Sequence, residues 1–209
     1  MLKYIDFITE TIRTDIREKV NPFLLAAKKG SSTKVKNFIK SGVDINVQDS
    51  DKKTALMYAA SEGFLMVVNS LIEAGADVNL TDRKNRTALM MATTTTIIDK
   101  ILSVDNVDVN IQNDKGNTKM MEELIIGYSS KTIRKYLEKF IEKGLNLDIK
   151  NNKNQNFYDL LKYKKENLNG TSNSIILNEL DEVEEYIDIH FPKYKEEWNF
   201  HNNLKKFNI

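Results

Sequence analysis

The sequence predicts an all-α array of stacked helical hairpins, and three observations carry that reading. Apolar residues recur at helical spacing in pairs of short stretches, a glycine closes each stretch of the first two pairs, and the pattern repeats with a period near 33 residues. Residues 49–81 display the unit most fully. Leu56, Ala59 and Ala60 form one apolar stripe, and Leu65, Val68, Leu71 and Ile72 form a second. Glu62-Gly63 breaks the chain between them, because Gly takes the positive φ that ends a helix. Ala74-Gly75-Ala76-Asp77-Val78-Asn79 stops the second helix and runs into an extended segment. One such hairpin has too little apolar surface to fold alone and needs neighbours of its own kind. They are present: Asn21, Thr54 and Thr87 stand 33 residues apart, and the closing Asn recurs as Asn46, Asn79 and Asn110.

These residues resemble the ankyrin repeat family, whose pattern runs roughly D-x-x-G-x-T-P-L-H-x-A-A-x-x-G…L-L-x-x-G-A-D-V-N. Residues 49–81 match it at Asp49, Thr54, Leu56, Ala59, Ala60, Gly63, Leu71, Gly75, Ala76, Asp77, Val78 and Asn79. The resemblance implies an all-α ankyrin-repeat solenoid over residues 21–167. Its repeats fall at about 21–48, 49–81, 82–112 and 113–150, with a partial one at 151–167.

The elements follow in order. Leu2, Ile5, Ile8, Ile12 and Ile16 lie on one face of an amphipathic helix over residues 1–20, read as an N-terminal cap. In the first repeat Pro22 opens a helix, where its missing N–H is harmless, and Asn21 takes the capping place that Thr54 and Thr87 hold later. Repeat three departs from the pattern at Thr93-Thr94-Thr95-Thr96. Four β-branched residues weaken the helix end there, and a short outer helix is expected from Ile97 to Leu102. Repeat four is longer than the pattern, with the extra residues placed around Gly127 to Ser130 and an outer helix through Ile133, Tyr136, Leu137, Phe140 and Ile141. Glu122 and Glu123 fall where small residues are expected, so that helix is either rotated or out of register. Asn156-Phe157-Tyr158-Asp159-Leu160-Leu161 opens the partial fifth unit. Residues 168–209 then read as a loop, a C-terminal capping helix with Ile176, Leu180, Val183 and Ile187 on one face, and a tail carrying Trp198, Phe200 and Phe207.

Composition narrows function by exclusion. With 209 residues, 29% of them charged, and a net charge of +1, the chain gives no polyelectrolyte argument for nucleic acid. It has no cysteine, no apolar run approaching the ~20 residues of a membrane span, and no apolar stretch at Met1 resembling a secretory signal. The expected location is therefore the cytoplasm, or an exported pool reached without a recognisable N-terminal signal. The two histidines, His190 and His201, lie outside the repeats, and no metal-ligand or phosphate-loop spacing occurs. No catalytic residue, cofactor or metal is expected.

The resemblance places a binding surface instead. In the family, partners contact the hairpin tips and the exposed side of the inner helices, which together form the concave face. Carried to this chain, the tips are Ser50, Asp51 and Lys53; Arg83, Lys84 and Arg86; and Asp114, Lys115 and Asn117. The inner-helix positions are Lys28 and Lys29, Ser61 and Glu62, and Thr94 and Thr95. Arg83, Lys84 and Arg86 form a basic cluster with Lys52 and Lys53 one repeat away. The expected function is non-catalytic binding of a protein partner, not yet identified, by a monomer acting as adaptor, inhibitor or assembly subunit. The alternative is a structural protein that self-associates through its cap helices. The family's inner-helix His is replaced by Leu24, Met57, Met90 and Met121, which predicts thioether packing in place of polar bonds between repeats.

Overall fold

In the first two hairpins the inner helices start at the caps and both helices end at the glycines read from the sequence. The computed structural model describes residues 21–126, 130–168 and 174–192, which form ten helices and no strand. The expected capping helix over 1–20 and the tail from 193 lie outside the described residues, as do residues 127–129 and most of the expected loop at 169–173. The chain divides into two compact units, one ending at Val107 and the other beginning at Asp108.

The first unit holds three hairpins: α1 (Pro22–Lys28) with α2 (Ser32–Lys40), α3 (Ala55–Ser61) with α4 (Leu65–Glu73), and α5 (Ala88–Met91) with α6 (Thr95–Leu102). Each inner helix starts on a side-chain cap. Asn21 Oδ1 accepts from the Phe23 amide at 3.0 Å, Thr54 Oγ1 from Met57 at 3.2 Å and Thr87 Oγ1 from Met90 at 3.3 Å. The inner helices pack in a row, α1 on α3 and α3 on α5, while α2, α4 and α6 form an outer row. Between the rows lie Phe23, Leu24, Leu56, Met57, Val68, Leu71, Leu89, Ile97 and Ile101, all buried. Their helical spacing gives each hairpin a face for its own partner helix and for its neighbours.

Met57 is fully buried and Met90 half-buried, as core filling requires, but Met66 turns outward. Polar bonds between repeats are supplied by the loops. Gln48 Nε2 donates to the carbonyls of Lys52 at 2.6 Å and of Thr81 at 3.1 Å. The Asp77 amide donates to Asn46 Oδ1 at 2.9 Å, and Asn79 Nδ2 donates to the Asn106 carbonyl at 2.7 Å. The Asn that closes each unit is thus a cross-repeat bridge. Asp44, Asp77 and Asp108 orient it by accepting the backbone amide two residues on.

The threonine run also differs from expectation. α5 is four residues long, and Thr94 caps α6 through the Ile97 amide at 3.4 Å, so the outer helix starts at Thr95. Thr94 and Thr95 therefore belong to the outer helix and not to the inner one.

The second unit holds α7 (Lys119–Ile126), α8 (Ser130–Glu142), α9 (Phe157–Asn167) and α10 (Ser174–His190). α7 packs on α9 and α8 on α10, repeating the inner and outer rows of the first unit. α9 opens with a capping box, Asn156 accepting from the Asp159 amide at 2.9 Å and Asp159 from the Asn156 amide at 3.0 Å. α10 buries Leu180, Val183 and Ile187 and touches both α8 and α9, so it takes the place of an outer helix. Ion pairs of Glu184 with Lys162 and Lys165 tie it to α9.

The register of α7 holds despite its acids. Lys119 and Glu123 stand where α3 has Ala55 and Ala59, are buried, and pair with each other one helical turn apart. Glu122, in the place of Tyr58, bonds to Asn113 and Asn117. No rotation or slip is needed.

Candidate functional site

The hairpin tips are built on one five-residue turn that occurs at 49–53, 82–86, 113–117 and 151–155. Its first residue donates its amide to the fifth carbonyl in every copy, at 2.9–3.1 Å. The side chain of that first residue then accepts from the amides of the third and fifth. Asp49 Oδ1 takes those of Asp51 and Lys53 at 2.8 and 2.9 Å, and Asp82 Oδ1 those of Lys84 and Arg86 at 2.8 and 2.9 Å. Asn113 and Asn151 do the same through Oδ1. The fourth residue has positive φ in each copy: Lys52, Asn85, Gly116 and Asn154.

One side-chain atom of the first residue is left over, and its chemistry selects its partner. The carboxylates need donors: Asp49 Oδ2 accepts from the Tyr58 hydroxyl at 2.5 Å, and Asp82 Oδ2 from Arg86 Nε and Nη2 at 3.0 and 2.7 Å. The amides need acceptors: Asn113 Nδ2 donates to Glu122 Oε1 at 2.9 Å, and Asn151 Nδ2 to Asn117 Oδ1 at 3.1 Å.

Burial pushes the Asp49 and Asp82 carboxyls up, but their bonds outweigh it and hold both below the ordinary carboxylate value. Those bonds come from the Tyr58 hydroxyl, the Arg86 side chain and the turn amides. The Tyr58 hydroxyl is pushed up, by burial and then by its bond to Asp49. A depressed folded pKa contributes stability that is present above the unfolded carboxylate pKa and lost as pH falls through the folded value. An Asp49→Asn chain keeps the amide bonds without the titration. It should be slightly less stable at neutral pH and lose less stability than the parent between about pH 5 and pH 2. Urea midpoints across that range check this, and equal losses in the two chains would remove Asp49 from the acid response.

The sequence-derived positions can now be placed. In the first unit Ser50, Asp51, Glu62, Arg83, Lys84, Thr94 and Thr95 are exposed, and Lys53 and Ser61 are half-buried. The Arg83 amide donates to the Asp51 carbonyl at 3.0 Å, which sets the second and third tips side by side. Arg86 is half-buried and committed to Asp82, so it leaves the free basic cluster. In the second unit Asp114 and Lys115 are exposed at their own tip. Asn117 is buried, contrary to expectation, because its side chain bonds to Glu122 and Asn151.

Tyr58 was missed by sequence reasoning. It is half-buried on α3, with Lys28 Nζ and Lys53 Nζ each 5.4 Å from its ring centroid. Its signal was an aromatic ring at a register where α1 and α5 carry the aliphatic Leu25 and Met91.

Comparison with known proteins bears on what this surface does. The family model for ankyrin repeats matches residues 23–113, in three copies. Residues 23–113 carry ankyrin repeats. A search of curated proteins finds no match. Ankyrin repeats are generally protein–protein interaction modules and are typically non-catalytic. Among the described residues, no helix is long and apolar enough to cross a membrane. In this ankyrin array the tips and inner helices of the first unit offer water-facing side chains on a hydrogen-bonded backbone.

Proposed function

We propose that the chain is a non-catalytic binding module that holds a protein partner on the face formed by its ankyrin tips and inner helices. The observation that carries this reading is the repeated tip turn, which holds the backbone of the exposed positions on a hydrogen-bonded frame. A preordered backbone loses little entropy on binding, so contacts made there translate into affinity. Arg83, Lys84 and Lys53 are contact residues in this reading, and Arg86 serves the frame.

A pull-down from lysate of the source cells tests it, comparing the intact chain with one carrying Lys53→Gln, Arg83→Glu and Lys84→Glu; glutamine is used at 53 because an acid there would face Asp49. Arg86 is left unchanged, since an acid there would face Asp82 and disturb the turn. A protein held by the intact chain and lost with the variant, whose circular dichroism is unchanged, is the expected result. Retention of every captured protein by the variant would move the site off this face.

A further inference from the structure

We propose that the inner face of the first three repeats receives an acidic peptide segment of its partner, centred on Tyr58; this rests on the protein-binding reading of that face. Two ammonium groups from different repeats, Lys28 on α1 and Lys53 at the second tip, converge on one ring at 5.4 Å each. Neither forms an ion pair among the described residues. Asp49 attracts Lys53, yet its oxygens are occupied by the Tyr58 hydroxyl and two turn amides. That hydroxyl bond fixes the ring, and the ring holds both cations near it before any ligand arrives.

The basic line continues on either side. Lys29 follows Lys28 in an exposed position, and Lys52, Arg83 and Lys84 are exposed at the two adjoining tips. The exposed acids on the same positions are Asp51 and Glu62. In a chain of net charge +1 this is a local excess of cations, and it fits a ligand whose carboxylates can be spaced to match. A nucleic acid fits less well. Asp51 and Glu62 interrupt the line where a continuous phosphate backbone would pass, and one ring is not a run of stacking platforms.

The test uses the full chain and a fluorescein-labelled peptide of alternating Glu and Ala, read by anisotropy at low and at physiological salt. Lys28→Gln with Lys53→Gln is compared with a control of equal charge, Lys36→Gln with Lys40→Gln, two exposed positions on the outer helix α2. The inner pair should weaken binding about tenfold or more, the control pair less than about twofold, and added salt should weaken both. Equal losses from the two pairs, no binding at low salt, or tighter binding of an oligothymidylate of the same charge would each overturn the proposal. A partner that cross-links to Ser61 but ignores Lys28→Gln with Lys53→Gln would overturn it too, while leaving the inner-face reading intact.

Discussion

Replacing Lys119 with Met alone is expected to destabilise the second unit by about 3–5 kcal/mol, whereas Lys119→Met combined with Glu123→Leu should be near neutral or stabilising. Both residues are buried on α7 at positions where α3 has alanines, and they pair with each other across one turn. Removing the lysine leaves a carboxylate in the packing layer, and Glu123 Oε2 already has no hydrogen-bond partner among the described residues. A buried charge deprived of its counter-charge loses far more than an exposed one, because water cannot take the partner's place. The double replacement removes the whole desolvation penalty and keeps similar side-chain volumes. Urea unfolding of the three chains checks the prediction. A single variant within about 1 kcal/mol of the parent would mean that Glu123 reaches solvent.

The second large effect is at a glycine. Gly116 has φ of +75°, and a Cβ built on it would lie 2.7 Å from the Asn152 backbone nitrogen and 2.9 Å from the Asn151 Cα. Gly42 has φ of +78° with nothing within 4 Å of such a Cβ. Alanine at 42 should therefore show only the backbone strain, about 1 kcal/mol, while alanine at 116 adds a clash with the neighbouring tip, about 3 kcal/mol in all. The clash is with backbone that is itself bonded: the Asn152 amide donates to the Lys115 carbonyl at 3.0 Å. Thermal midpoints of the two variants separate strain from collision. Equal shifts would mean that the turns at 113–117 and 151–155 are not in close contact.

These effects mark where the sequence was legible and where it was not. Periodicity within a helix located α1, α3 and α4, and the preceding Asn21 and Thr54 located the caps of α1 and α3, because both signals are properties of one segment. Neither located the partners of the tip residues, which come from other segments. Asp49 reads as a turn acid, but that it holds Tyr58 depends on the packing of α3 behind the turn. The difference between Asp82 and Asn113 was visible as a substitution. Its consequence, an arginine donor in one case and a glutamate acceptor in the other, follows only once the turn has consumed Oδ1. That same logic explains why Glu122 sits on α7 and why Asn117 is buried instead of facing a partner.

Gln48 and Gln112 occupy the same register, just before the tip, and each reaches the next repeat. Gln112 Nε2 donates to the carbonyls of Gly116 at 2.5 Å and of Lys150 at 2.9 Å. Their recurrence was a signal in the sequence, but nothing in helical spacing gives weight to a polar loop residue. Thr94 and Thr95 were misplaced for a related reason. A threonine can end one helix or cap the next, and the choice was made by the Ile97 amide that Thr94 accepts.

The central claim, that a protein partner sits on the tips and inner helices, is tested most directly by site-specific photo-cross-linking. A benzophenone amino acid placed singly at Ser61 or Lys84 would be compared with one at Lys36 or Met66 on the outer helices. One and the same protein should be cross-linked from Ser61 and from Lys84 and be absent from the outer positions. A protein cross-linked from Lys36 or Met66 and absent from Ser61 and Lys84 would contradict it.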